Sequence, residues 1–234
     1  RSVVVTGVQT CALPISNVKN YHKTYYVPNN MAICLSGDLN PDEVIATIDK
    51  YFGDMVPNEN LPKLEFQPEE PITEPIVREV YGLEAANVLM GWRLPGGSSD
   101  PNDVAQIASA ILNNGQAGLI DLDLNQQQKV LGAYGGFSGQ PDYSMFLLGG
   151  SPKAGQSLEE VRDLLLGEVA KLRSGDFDEK LIEASINNFK LYMMRAYESN
   201  DSRADMYVQS FIAGTNWADE VAQLDRMAKV TKQD

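Results

Sequence analysis

Residues 21–53 read YHKTYYVPNNMAICLSGDLNPDEVIATIDKYFG, and two elements of different type follow one another in this stretch. The run Met31–Leu39 is apolar and ends in turn-forming residues, which is typical of a buried strand. Asn40 and Pro41 then predict a helix start, because asparagine caps a helix N-terminus and proline fits its first turn. Glu43 stands three residues after Asn40, which is the spacing of a capping box. The stretch therefore predicts a fold that mixes strands and helices.

Working outward, the remaining pattern alternates between groups of strands and groups of helices. Five prolines in residues 54–75 predict a surface linker, because proline lacks the N–H that a ladder or helix needs. Ser157 with Glu160, and Asp176 with Glu179, have capping-box spacing before long helical patterns. The predicted strands lie in ITEPIVREVYG (72–82), NVLMGWRLPG (87–96), VLGAYGGFSGQ (130–140) and PDYSMFLLGGSP (141–152). The predicted helices lie at 103–114 (capped by Asp100, Pro101 and Asp103), 118–128, 158–175, 177–198, 202–213 and 217–229.

Runs of strands followed by runs of helices favour the α+β class. We expect an antiparallel-rich β-sheet that is packed on one face by α-helices. The length of 234 residues allows one sizeable core, and no internal repeat is visible.

The composition excludes several classes of partner. A formal net charge of −13 opposes binding to the phosphates of nucleic acid and to anionic lipid. No run of 18 apolar residues is present, so no membrane-spanning helix is predicted. The two cysteines, Cys11 and Cys34, are too few for a disulfide framework or a zinc knuckle.

We interpret the first fifteen residues as foreign to the protein. Val5–Ile15 reads VTGVQTCALPI, which matches the in-frame translation of a common sequencing adapter residue by residue. We therefore expect residues 1–15 not to be native and exclude them from fold reasoning. Residues 16–234 are then one domain truncated at both ends, and the final TKQD is typical of the cap of one further helix.

Few residues carry recognisable chemistry. His22 is the only histidine, and neither H-E-x-x-H nor H-x-x-E-H occurs, so no zinc site and no catalytic residue is predicted within this chain. Cys34 lies in an apolar run and is interpreted as a small buried residue, not as half of a Cys–His pair. Glycine pairs in RLPGGSSDP, GAYGGFSG and LLGGSP leave a third hypothesis open, in which glycine-rich turns bind a small molecule.

The stretch 21–53 resembles the entry to the second domain of insulinase/pitrilysin-type zinc peptidases, which belong to the inverzincin clan and are related to mitochondrial processing peptidase. The likeness lies in a tyrosine-rich lead-in, a Pro-Asn turn, an apolar strand, Gly-Asp and a capped helix ending in Tyr-Phe-Gly. NVLMGWRLPG and the helix, strand pair and paired helices that follow keep the same order. The resemblance covers 17–234 and implies a metallohydrolase-like α+β domain.

The resemblance also implies a function. Such enzymes consist of two halves that enclose a chamber, and their zinc is bound by an H-x-x-E-H domain upstream of the domain that this chain resembles. The chain is then a non-catalytic domain of a zinc-dependent endopeptidase, inactive alone and without its own cofactor. It would form chamber wall against peptide substrate, with Tyr134 and Phe137 as lining residues, and contact the other domains or a paired subunit. The alternative is an inactive structural or core subunit of the same fold.

Overall fold

A computed structural model describes residues 14–63 and 65–234. The chain divides into two compact units, one ending at Glu79 and the other formed by Val80–Asp234. Of the predicted adapter region 1–15, residues 1–13 lie outside the described residues, and Ile15 begins the first helix. The foreign origin of residues 1–15, and the assignment of 16–234 to one domain, stay predictions.

The smaller unit contains two helices, α1 (Ile15–Tyr25) and α2 (Pro41–Phe52). Asn40 caps α2 as predicted, since its side chain accepts a hydrogen bond from the N–H of Asp42 at 3.1 Å. The full capping box with Glu43 does not form, because Glu43 accepts from the Asn40 side-chain amide at 3.3 Å and not from its backbone N–H. Neither helix has a buried residue. Local capping, and not burial, therefore defines where α2 begins.

Side-chain hydrogen bonds join the loop after α2 to the residues at the end of α1. The Asn29 amide donates to the carbonyl of Asn58 at 2.9 Å, and its oxygen accepts from the N–H of Asn58 at 3.0 Å. The Asn58 amide also donates to the carbonyl of Thr24 at 3.0 Å. These bonds hold the loop after α2 against the end of α1, next to the buried Val27.

The prediction of a buried strand at Met31–Leu39 is wrong for this structure. The segment has no regular secondary structure, and Met31, Ile33 and Leu35 are 40%, 47% and 49% exposed. A strand needs a hydrogen-bonded neighbour, and no strand is formed by the described residues of the smaller unit. For the same reason the predicted strand at 72–82 is irregular.

The larger unit is built on a three-stranded antiparallel sheet, and its strands confirm three of the predicted ones. The strands are β1 (Val88–Pro95), β2 (Gly132–Ser138) and β3 (Tyr143–Ser151), in the spatial order β1-β3-β2. In the register, Gly149 of β3 lies opposite Leu89 of β1 and Tyr134 of β2. The central strand β3 therefore carries both ladders.

Helices cover one face of this sheet, as the α+β prediction requires. Leu148 of β3 is fully buried in a cluster with Ile107 of α3 and Val161 and Leu165 of α4. The predicted helix at 118–128 contains a π-helical turn at Asp121–Asn125. The helices are α3 (Asp100–Leu112), α4 (Leu158–Ser174), α5 (Lys180–Glu198), α6 (Asn200–Ala213) and α7 (Trp217–Met227).

The predicted helix caps have different outcomes. Ser157 and Glu160 form the full capping box of α4. The box predicted for Asp176 and Glu179 is wrong, because the α4 C-terminal turn includes Asp176, whose N–H donates to the Lys171 carbonyl, and α5 begins only at Lys180.

Asp103 does not cap α3 either, because the helix begins at Asp100 and no side-chain cap is formed. Instead its carboxylate, 2% exposed, accepts hydrogen bonds from Arg226 Nε at 2.7 Å and Gln223 Nε2 at 3.1 Å. A buried charge needs such partners, so Asp103 joins α3 to α7.

A three-membered ionic cluster links α4 to the π-helical turn. Lys171 Nζ lies 2.7 Å from Asp123 Oδ2 and 3.0 Å from Glu168 Oε1. Its hydrogen bond holds the pKa of Asp123 below the ordinary value, whereas burial raises the pKa of Glu168. The hydrogen bond to Asp123 raises the pKa of Lys171. Ionisation of Glu168 therefore destabilises the folded chain, whereas ionisation of Asp123 stabilises it.

We expect the Lys171→Met substitution to lower the free energy of unfolding by about 1–2 kcal/mol, because it leaves the buried carboxylate of Glu168 without its cation. Urea denaturation at neutral pH measures the change. The matched control is Lys190→Met, an exposed position on α5, which should stay within about 0.5 kcal/mol of the wild type. Equal effects of the two substitutions would contradict a role for the cluster.

The raised pKa of Glu168 also predicts a pH dependence. The folded chain binds this proton more tightly than the unfolded chain, so the Glu168 contribution to stability is fully present below the ordinary pKa of 4.5 and is lost as pH rises from there through the raised pKa of the folded chain. Glu168→Gln removes that loss. The stability of this variant relative to the wild type should therefore rise across the same interval, as measured by denaturation at several pH values. A constant difference would argue against the shift.

Candidate functional site

The face of the sheet opposite the helices is the candidate site, and we call it the open sheet face. Because side chains alternate along a strand, the partners of Leu148 point to the helices and their neighbours point away. On the open sheet face Leu89, Tyr134 and Met145 are 59%, 55% and 41% exposed. Its cross-strand rows are Leu89–Gly149–Tyr134, Gly91–Leu147–Gly136 and Arg93–Met145–Ser138.

Two consecutive glycines in β3 set the packing on the two faces. A Cβ added at Gly149 would lie 2.3 Å from Cζ and 2.4 Å from Oη of Tyr134, so this ring lies directly over the glycine. A Cβ at Gly150 would lie 2.7 Å from Val161 and 3.3 Å from Leu165. Gly149 therefore lets an aromatic ring lie flat on the open sheet face, and Gly150 lets α4 approach the other face.

The two predicted lining residues lie on opposite faces. Tyr134 is on the open sheet face, whereas Phe137, three positions later in β2, is half-buried on the helix-covered face opposite Phe146. An odd spacing along a strand always has this result. The structure therefore places Tyr134 and Phe137 on opposite faces. Of these two residues, Tyr134 is the one that lies on the open sheet face.

Arg93 lies in the last cross-strand row of the open sheet face. The Arg93 guanidinium lies over the Tyr143 ring, 4.9 Å from its centroid. This cation–π interaction places a positive charge at one end of the open sheet face.

Half-buried amide side chains hold β2 in position. Asn113 Oδ1 accepts from the N–H of Gly135 at 3.1 Å, and Asn125 exchanges two 2.8 Å hydrogen bonds with the backbone of Ala133. The buried Asp121 carboxylate in turn accepts from Asn113 Nδ2 at 2.6 Å and from the N–H of Asn114 at 2.8 Å. Tyr134 lies between the two anchored residues, so its backbone is fixed before any ligand arrives.

A third amide, that of Asn102, fixes the other end of the sheet. Asn102 is 2% exposed, and its Nδ2 donates to the carbonyls of Pro95 at 2.9 Å and Gly97 at 2.7 Å. It also lies 3.1 Å from Ser144 Oγ. Sequence reasoning missed these anchors, although the pair Asn113-Asn114 directly before Gly115 is a local signal for a side-chain-stabilised turn.

The other candidate residues are structural. His22 stacks on Tyr26 with ring centroids 4.6 Å apart, and Cys34 is a half-buried free thiol. In residues 14–63 and 65–234, no group of three or more His, Cys, Asp or Glu side chains is placed to hold a metal ion. The packing of Gly149 and Gly150 explains that glycine pair without a bound molecule.

The part of the chain that the structure describes contains no candidate for a membrane-spanning helix. None of its helices has the length and apolar character needed to cross a bilayer.

Comparisons with known proteins place this geometry in a family context. Residues 13–189 match the family model described as the peptidase M16 inactive domain. The zinc protease PqqE of Helicobacter pylori is 23% identical over 219 residues, covering 86% of this chain and 47% of that protein.

Two solved structures have a similar fold. A protease from Helicobacter pylori superposes with a TM-score of 0.79 at 16% identity, covering 95% of this chain and 55% of that one. The peptidase M16 inactive domain from Pseudomonas fluorescens gives a TM-score of 0.73 at 16% identity, covering 95% and 52%. The chain thus spans about half the length of the relatives it matches.

The neighbouring glycines of β3 give a matched pair of substitutions. We expect Gly150→Ala to lower the free energy of unfolding by about 1–3 kcal/mol, since its methyl group meets the core side chains Val161 and Leu165. Gly149→Ala should cost less than about 1 kcal/mol, because the exposed Tyr134 ring can swing away. Chemical denaturation compares the two variants. A larger loss for Gly149→Ala would contradict the assignment of the two faces.

Proposed function

Because the chain belongs to the peptidase M16 inactive-domain family, we propose that it is the non-catalytic domain of a zinc-dependent endopeptidase. Its role is to form part of the wall of the chamber in which peptide is hydrolysed. The family match over residues 13–189 carries this proposal. The open sheet face supports it, since it presents exposed apolar and aromatic side chains on an anchored sheet.

The open sheet face suits contact with an extended peptide. Leu89, Met145 and the Tyr134 ring offer apolar surface, and the Tyr134 hydroxyl can donate or accept a hydrogen bond. The anchors at Asn113 and Asn125 hold β2 rigid, so little conformational entropy is lost when a peptide binds. Such a surface orients and retains substrate without a reacting group.

The described residues do not fit zinc, because they include no cluster of three potential ligand residues. We therefore assign hydrolysis to an upstream H-x-x-E-H domain, which the family resemblance implies and whose metal supplies the activated water. The contacts of the present domain would then be with the other domains of its own polypeptide or with a paired subunit. No hydrolytic step is assigned to this chain.

The complete gene tests the enzymatic part of the proposal. We expect its reading frame to encode H-x-x-E-H upstream of residue 16 and its product to cleave peptides in a zinc-dependent manner. The present chain alone should show no cleavage above background. Replacing the glutamate of that motif by glutamine is the matched control and should abolish cleavage. A degenerate motif and an inactive full-length product would instead support the structural-subunit alternative.

Tyr134 tests the chamber-wall part. In the full-length enzyme, Tyr134→Ala should lower kcat/KM for a peptide substrate by about 3- to 10-fold, because it removes exposed aromatic contact surface without touching the catalytic groups. Tyr192→Ala, which removes a 69% exposed tyrosine from α5, is the matched control and should leave kcat/KM unchanged. Steady-state kinetics measures both. Equal kcat/KM values for the two variants would contradict a role for Tyr134 in the chamber wall.

A further inference from the structure

The π-helical turn Asp121–Asn125 is bonded to three different parts of the larger unit through alternate residues. Its first residue, Asp121, is buried, and its carboxylate accepts hydrogen bonds from the N–H groups of Asn114 and Gly115 at 2.8 Å and of Gly118 at 3.2 Å. π-Helical turns are rare and often lie at functional sites. The start of this turn is thus fixed to the loop after α3.

The middle of the turn is held to α4. Asp123 Oδ2 accepts a hydrogen bond from Lys171 Nζ at 2.7 Å, and the same Nζ lies 3.0 Å from both carboxylate oxygens of Glu168. Glu168 is 4% exposed, so Lys171 cannot turn toward solvent without leaving a buried carboxylate unpaired. Lys171 is therefore kept in the place where it bonds to the turn.

The last residue of the turn is held to β2. Asn125 exchanges two 2.8 Å hydrogen bonds with the backbone N–H and carbonyl of Ala133. These are the two bonds that a residue of a neighbouring strand makes in an antiparallel pair, so the Asn125 amide takes the place of such a neighbour. Tyr134, the next residue along β2, pairs with Gly149 of β3. The turn thus determines where β2 lies at the residue directly before Tyr134.

The position of the Tyr134 ring depends on this part of β2. The ring lies over Gly149 so closely that a Cβ there would be 2.3 Å from its Cζ. Because the side chain is 55% exposed, the course of the β2 backbone and the contact with Gly149 determine where the ring lies. A shift of β2 therefore moves the ring away from Gly149.

We propose that Asn125 and Lys171 are positioning residues for Tyr134. Lys171 holds the π-helical turn to α4, and Asn125 transmits the position of the turn to β2. A side chain of the helical layer thereby sets the geometry of the open sheet face, which lies on the other side of the sheet. For peptide binding the inference rests on the proposed function, whereas the coupling within the domain does not.

Proton NMR of the present chain tests the coupling. The Hα protons of Gly149 lie under the Tyr134 ring, so its ring current shifts their resonances upfield. We expect Asn125→Ala to move these resonances back toward the ordinary glycine position, and Lys171→Met to move them in the same direction by less. Lys171→Arg keeps the cation and should restore the wild-type resonances. Asn125→Asp, which loses only the bond to the Ala133 carbonyl, replaces Asn125→Ala if that variant does not fold.

Lys190→Met, at an exposed position of α5, is the matched control and should leave the Gly149 resonances unchanged. Wild-type resonances in folded variants of Asn125 would overturn the proposal. Wild-type resonances in Lys171→Met would overturn the part that concerns Lys171.

Steady-state kinetics of the full-length enzyme tests the consequence for peptide binding. Asn125→Ala should raise KM by about 3- to 10-fold at unchanged kcat, because it displaces a contact residue and leaves the catalytic groups in place. In a Tyr134→Ala background the same substitution should change KM no further, since both act through one ring. Displaced Gly149 resonances with an unchanged KM would support the coupling and count against the proposed function, so the two failures are distinguishable.

Discussion

The close approach of α4 to β3 at Gly150 is the contact on which the larger unit depends. Val161 and Leu165 reach the sheet only because no side chain stands there, and with Leu148 they are among the fully buried side chains of the core. The pairing of β3 with both neighbours fixes the register of every other strand residue. One small residue therefore couples the helical layer to the sheet and determines which side chains the opposite face exposes.

Buried and half-buried polar groups then fix the edges of the sheet that hydrophobic packing leaves undetermined. Asn102, Asn113 and Asn125 each bond to backbone groups of a strand or of its adjoining turn. Asp103 and Asp121 are buried, and both carboxylates are satisfied by hydrogen bonds. Such bonds are directional and costly to leave unmade, so they specify one arrangement of loops around the apolar core. The open sheet face can therefore keep its shape without a covering layer.

Local signals predicted what local interactions determine. The β-like runs at 87–96, 130–140 and 141–152 predicted β1, β2 and β3, and the Ser157–Glu160 pair predicted the start of α4. Whether Met31–Leu39 forms a strand could not be predicted from its own residues. A strand needs a hydrogen-bonded neighbour, and the described residues of the smaller unit supply none. The odd spacing of Tyr134 and Phe137 along β2 places them on opposite faces, and their role as chamber-lining residues stays a prediction. The long-range pair Asp103–Arg226 has no local signature in the sequence.

The exposed stretch Met31–Ser36 has a consequence for handling the protein. It reads MAICLS, without proline or charge, and Met31, Ile33 and Leu35 are all well exposed. Uncharged β-prone runs of this length template intermolecular strand pairing when nothing shields them. When this polypeptide is produced by itself, these six residues will therefore promote its aggregation, and Ile33→Lys is the simplest substitution that opposes precipitation.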